Sequence, residues 1–230
     1  MIREDCRKGL MIMNLADYIG RYWAGAEAIY AVIIAMTFTS VLRGYAAIDE
    51  AAYWEIIYPA LFCCMAWGIA DGLFYAWERR YNIRMENKII DLSRSEQNRD
   101  DAIPLIREQL DDTILRNINY EKRMELYRNL MKYLNEVGIK RMLSKRDAIN
   151  IISATFVIST IAGLAVVAPF FLVEDLKTAL NISNLLGICL LFIIGYHRAY
   201  EKSASARMIM GFGTAIIGIV IAAVTILLGG

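Results

Sequence analysis

Apolar residues follow two different patterns along this chain. In five stretches, residues 27–47, 56–77, 148–173, 180–197 and 208–228, they run almost unbroken. Runs of roughly twenty such residues are what a helix needs to cross a hydrocarbon layer of about 30 Å. Between the second and third runs the pattern changes. Residues 78–147 are densely charged, and Ile103, Ile106, Leu110, Ile114, Leu115 and Ile118 recur at three- and four-residue steps. That spacing predicts amphipathic helices, with breaks near residues 93–101 and near Gly138. Pro104 suits the first turn of one of them, after Asp100 or Asp101 as cap. Pro59 is expected early in the second run, where a missing amide is harmless. Ahead of the first run, Met11, Leu15, Tyr18 and Tyr22 share one helical side, while Arg7, Lys8 and Arg21 supply a basic one. This predicts a helix lying at the membrane surface.

The expected fold is therefore an all-α membrane protein: five transmembrane helices, with a helical cytoplasmic domain inserted between the second and third. The expected divisions are an interfacial helix over residues 1–25, two spans over 26–77, the inserted domain over 78–147 and three spans over 148–230.

Composition sharpens this reading. Of 230 residues, 57% are hydrophobic and 21% charged, with a formal net charge of +1. Such a balance gives no reason to expect nucleic acid as a partner. Cys6, Cys63, Cys64 and Cys189 show no C-x-x-C spacing, so neither a disulfide framework nor a zinc site is indicated. The charged N-terminus lacks the short apolar core of a secretory signal. Lysine and arginine gather in the N-terminus, the insert and the loop between the fourth and fifth runs, which holds His197, Arg198, Lys202 and Arg207. The other loops are acidic, with Asp49, Glu50 and Glu55 in one and Glu174 and Asp175 in the next. The positive-inside rule then puts the N-terminus and the insert in the cytoplasm and the C-terminus outside, which requires an odd number of crossings. Gly211 with Ala215, and Gly218 with Ala222, form small-xxx-small pairs suited to close helix packing within a chain or between two.

Chemistry at membrane depth centres on Asp71, since a carboxylate there costs about 3 kcal/mol on the gentlest insertion scales; the alternative is a structural acid, held neutral or paired with Arg43, Arg79 or Arg207. Glu27 begins the first run. It either rests at the interface, favoured by the helix dipole, or faces the bundle interior with Met36, Thr37 and Thr39. Cys64 precedes Asp71 by seven residues on the same helical side, and Met65 adds a thioether. Carboxylate with a soft sulfur donor suits a cation such as Fe(II) better than Mg or Ca. In the insert, Glu108 with Asp111 and Asp112, and Glu121 with Glu125 beside Met124, could gather a cation between two helices. The competing reading is a solvated face, because Lys122, Arg123 and Arg128 surround them. No nucleophile–base pair or histidine cluster points to an enzyme.

The second-run stretch MAWGIADGLFY (residues 65–75) and the first-run stretch IYAVIIAMTFT (residues 29–39) resemble segments of prokaryotic proteins at the edge of the vacuolar iron transporter family. The five runs, the helical insert and the Gly-rich last run resemble that family's layout. The resemblance implies a homodimer with a pore between subunits lined by the first two spans. It further implies proton-coupled export of Fe(II) or Mn(II) from the cytoplasm, and a cytoplasmic domain that collects metal through glutamates and a methionine. The metal ion would be cargo and no cofactor would be held permanently. This chain departs from the family pattern in two places: its first run carries Glu27 and no aspartate–glycine pair, and its insert scatters acids among Arg and Lys. The rival expectation is a membrane scaffold or sensor whose insert binds a partner.

Overall fold

A computed structural model describes residues 20–44, 49–95, 99–111, 113–134 and 136–227. Most of the expected interfacial helix, and Asp112, lie outside these residues. All regular structure among the described residues is helical.

Helix α1 is Arg21–Ser40 and closes in a 3-10 turn, Val41–Gly44. It begins six residues before the apolar run does, at Gly20, whose φ of 83° takes the chain out of helical conformation in a region open to glycine. Tyr22 and Trp23 thus belong to the first span. Helix α2 is Glu50–Arg94, and Asp49 accepts the Ala52 amide at 2.7 Å to start it. It runs 45 residues, about 68 Å at 1.5 Å per residue, far beyond a bilayer's thickness. The change from apolar to charged residues at Glu78 does not end it, because no glycine or proline lies between Gly72 and Arg94. Because the helix starts at Glu50, Pro59 lies inside it rather than in its first turn. The carbonyl of Glu55, one turn earlier, loses its amide donor, and Glu55 and Pro59 are both exposed.

Helix α3 is Ala102–Leu110, with Pro104 in its first turn, and α4 is Tyr120–Leu134. The apolar spacing that predicts a helix through Ile118 breaks at Leu110. Thr113 caps a separate 3-10 turn, Ile114–Asn117, by accepting the Leu115 amide, and leaves Ile114 82% exposed. Helix α5 is Lys145–Val167, followed by a single turn α6, Pro169–Leu172. Ser144 and Asp147 cap α5 reciprocally: the Asp147 amide donates to the Ser144 hydroxyl at 3.1 Å, and the Ser144 amide to the Asp147 carboxylate at 3.0 Å. Helix α7 is Leu176–Arg198, capped by Asp175, which accepts the Thr178 amide at 2.8 Å. Helix α8 is Ala204–Leu227. Five helices, α1, α2, α5, α7 and α8, are long and apolar enough to cross a membrane.

The chain divides into two compact units, one of residues 1–75 and 148–230, the other of residues 76–147. In the first, α1 is the central helix. More than half of its apolar window is buried among its neighbours, against 22–33% for the other four. Ala31, Val32 and Ala35 of α1 meet Ile57, Ala60 and Cys64 of α2, Val166 and Val167 of α5, Leu191 of α7 and Ala215 of α8 in one core. Glycines set the spacing: Gly187 of α7 is covered by Met36, and Gly218 of α8 by Leu191. Gly187 and Gly195 of α7 and Gly211 and Gly218 of α8 therefore pack within the chain. The second unit has its own smaller core of Ile89, Ala102, Ile106, Tyr127 and Met131. The side chain of Asn87 clasps Lys140, donating to its carbonyl at 2.9 Å and accepting its amide at 2.8 Å.

Candidate functional site

Helices α1 and α2 run past each other in opposite directions, paired by side chains on facing sides. Trp23 meets Tyr75 with ring centroids 6.1 Å apart, and Tyr30 meets Trp67 at the same separation. Deeper in the bundle, the Cys64 thiol donates to the Ala31 carbonyl at 3.4 Å. Glu27 stands between the two aromatic pairs, six residues into α1, about 9 Å from its start.

Glu27 is 2% exposed, and neither carboxylate oxygen finds a hydrogen-bond partner among the described residues. The polar groups it faces are Asp71 of α2 and Ser159 of α5. The Ser159 hydroxyl is likewise buried without a partner among those residues, while Asp71 is half-buried. Buried polar groups are normally satisfied, and an orphaned carboxylate is among the costliest exceptions. Two carboxyl groups and a hydroxyl converging in a low-dielectric setting can hold a proton between them or neutralise a dication, and a hard oxygen set admits Mn(II) or Fe(II).

The approach of α2 to α5 is what brings Ser159 to this place. A Cβ on Gly68 would stand 2.9 Å from the Phe156 Cα and 2.8 Å from the Ser159 Cβ, and one on Gly72 would stand 2.7 Å from the Ile152 Cα. Backbone cannot yield to such contacts, so both positions require glycine. On the same side of α2, Cys64 packs where a side chain on Gly163 would be.

Among residues singled out from the sequence, Glu27 and Asp71 are thus brought together, and Glu27 takes the interior alternative. Met36 is buried but nine residues on from Glu27, on the opposite side of α1, against Gly187. Met65 is half-buried on another side of α2 from Asp71. In the insert, Asp111 is committed within its own unit. It accepts from the Tyr127 hydroxyl at 2.7 Å and pairs with Arg107 at 3.2 Å and Arg123 at 3.4 Å. The Tyr127 hydrogen bond, seconded by the two guanidinium groups, holds its carboxyl below the usual range. Glu108, Glu121 and Glu125 are exposed, and Met124 packs on the insert core. No group of three or more His, Cys, Asp or Glu converges as a metal cluster among the described residues. Ser159 has no signal of its own in the sequence; Gly68 and Gly72 flank Asp71 there, and their G-x-x-x-G spacing is the signal for the close approach to α5.

A search of curated proteins returns no match. A family model, that of the VIT family, matches residues 96–230, which is more than half of the chain and covers α3 through α8. Five membrane-length helices and this match agree with the vacuolar iron transporter resemblance of the sequence, and the chain belongs to the VIT family of membrane metal-ion transporters.

Proposed function

We propose that this protein is a secondary transporter of divalent transition-metal cations of the Fe(II) and Mn(II) type, exporting them from the cytoplasm in exchange for protons. The observation that carries this reading is the orphaned Glu27 carboxylate beside Asp71 and Ser159, between membrane-length helices. An acid kept there without a partner costs several kcal/mol unless a proton or cation occupies the site for part of a cycle. Exchange of one occupant for the other couples the two fluxes. Met36 and Met65 are further candidates on the pathway. Glu108, Asp111, Asp112, Glu121, Glu125 and Met124 are candidates for collecting metal in the insert, with Asp111 requiring release from its arginines first. The N-terminus and insert lie in the cytoplasm and the C-terminus outside, by the placing of Lys and Arg. Two copies form the working unit, with the aromatic-flanked side of α1 and α2 toward the partner; Tyr30 and Trp67 there are 48% and 41% exposed.

The test is uptake of Fe(II), Mn(II), Co(II) and Zn(II) into proteoliposomes under an imposed pH gradient. Glu27→Gln and Asp71→Asn are each expected to reduce uptake to background while the protein elutes as a folded species. Undiminished transport in either variant would remove that acid from the pathway. No uptake of any ion by folded wild-type protein would overturn the reading.

A further inference from the structure

At the basic end of the first unit, Arg198 is fixed by the residues around it. Arg198, the last residue of α7, lies across the start of α1. A Cβ on Gly25 would come within 2.6 Å of its Cγ and 2.7 Å of its Cδ, so the absence of a side chain there makes the space for the arginine stem. Its guanidinium carbon sits 4.0 Å from the centre of the Tyr22 ring. Stem and flat face are thereby fixed, yet the Nε is buried and has no hydrogen-bond acceptor among the described residues. A guanidinium carries five N–H donors and is charged at any physiological pH, so a stacked, unpaired one is poised for an anion. Beside it opens a cavity of about 1010 Å³, to which His197 and Lys202 also contribute. The acid on its wall, Glu201, already accepts from the Tyr200 hydroxyl at 2.8 Å.

We propose that this cavity binds the phosphate of an anionic membrane phospholipid, Arg198 offering its N–H edge to the phosphate oxygens and Lys202 adding charge. Planar, forked donors suit phosphate, and a guanidinium stacked on an aromatic ring loses little further freedom on binding. The lipid source follows from position. The cavity lies where α1 begins and α7 ends, at the end of two membrane-length helices, and Ile193 and Ile194 of α7 continue its wall in apolar side chains. A headgroup would thus sit among the cations with its chains along the helix. This end also carries the excess of Lys and Arg, the side that attracts anionic lipid.

Thermal unfolding of the full chain in detergent, with added phosphatidylglycerol, phosphatidylcholine or soluble glycerol 3-phosphate, tests the proposal. Phosphatidylglycerol is expected to raise the melting temperature in a concentration-dependent way, and phosphatidylcholine is not. Arg198→Gln should weaken the phosphatidylglycerol response at least about tenfold in concentration. Gly25→Leu should do the same by evicting the arginine stem, while Glu27→Gln keeps the full response. Equal shifts with both lipids, or an unchanged response in Arg198→Gln, would overturn the site. Glycerol 3-phosphate acting as strongly as the lipid would overturn the lipid assignment. Should Arg198→Gln not fold, Lys202→Gln at its exposed position carries the test, with an expected loss of about fivefold; no loss there would count against the proposal.

Discussion

Glu27 and Asp111 are both buried or half-buried acids, and their surroundings give them opposite work. Asp111 is answered by a tyrosine and two arginines and therefore stabilises its unit. Glu27 faces Asp71 and the Ser159 hydroxyl, and neither of its oxygens makes a hydrogen bond of ordinary geometry among the described residues; the proposed transport site rests on this. The Ser159 hydroxyl beside it can offer an oxygen to a cation but cannot carry its charge. Ser159→Ala should therefore give a folded transporter whose KM for metal rises severalfold with little change in kcat, in contrast to the complete loss expected for Glu27→Gln. A KM unchanged in proteoliposome uptake would remove Ser159 from the site. For Asp111 the folded carboxyl titrates below its unfolded value, so its stabilising effect is complete above the unfolded value, near 3.9, and is lost as pH falls through the lower folded one. Compared by thermal unfolding of the full chain, wild type should exceed Asp111→Asn by a constant margin from pH 7 to about 4.5, and the margin should vanish in stronger acid. A margin that persists there would mean that the Tyr127 and arginine contacts do not discriminate the charged form.

Among elements, the apolar stretches foretold five membrane-length helices because about twenty unbroken apolar residues have few other uses. Their ends were less legible. The onset of charge at Glu78 predicts a boundary, but helix continuity depends on backbone propensity, and the charged residues from Glu78 to Arg94 favour helix as well as the apolar ones before them. Which sides of the helices meet was not legible at all. Glu27 and Asp71 are 44 residues apart in sequence, and their meeting depends on the antiparallel pairing of α1 and α2. The G-x-x-x-G at 68 and 72 is the element-scale device that fixes α5 beside them. Gly68→Ala and Gly72→Ala should each cost about 1–3 kcal/mol through backbone overlap and lower the melting temperature. Because α5 must move to relieve that overlap, uptake should fall with it. Gly213 of α8 offers the control, since a Cβ there meets nothing within 4 Å. Gly213→Ala should be neutral or stabilise slightly by helix propensity. Equal effects at all three positions would show that close approach of α2 to α5 is not what these glycines provide.

At the scale of the whole molecule, the matched family region and the candidate site occupy different parts of the chain. The match begins at residue 96, whereas the carboxylate pair lies on α1 and α2. The shared part supplies three spans and most of the insert, while α1 and α2, which bear the two acids, precede it. Direction of transport then depends on which way the bundle is inserted. The loop after α7 holds Lys202 and the first turn of α7 holds Lys177, at opposite ends of one membrane-length helix. With the basic loops inside, a cysteine placed at Lys177 should react with a membrane-impermeant maleimide in intact cells, and one at Lys202 only after the membrane is opened. The test is made with Cys6→Ser, since a thiol in the charged N-terminus would label on the same side as Lys202; Cys63, Cys64 and Cys189 lie in apolar helices and should contribute little labelling. The reverse pattern would invert the topology and turn the proposed exporter into an importer for the same proton gradient. Reaction of both positions from one side would mean that α7 does not cross, and would leave an even number of crossings that the distribution of Lys and Arg does not support.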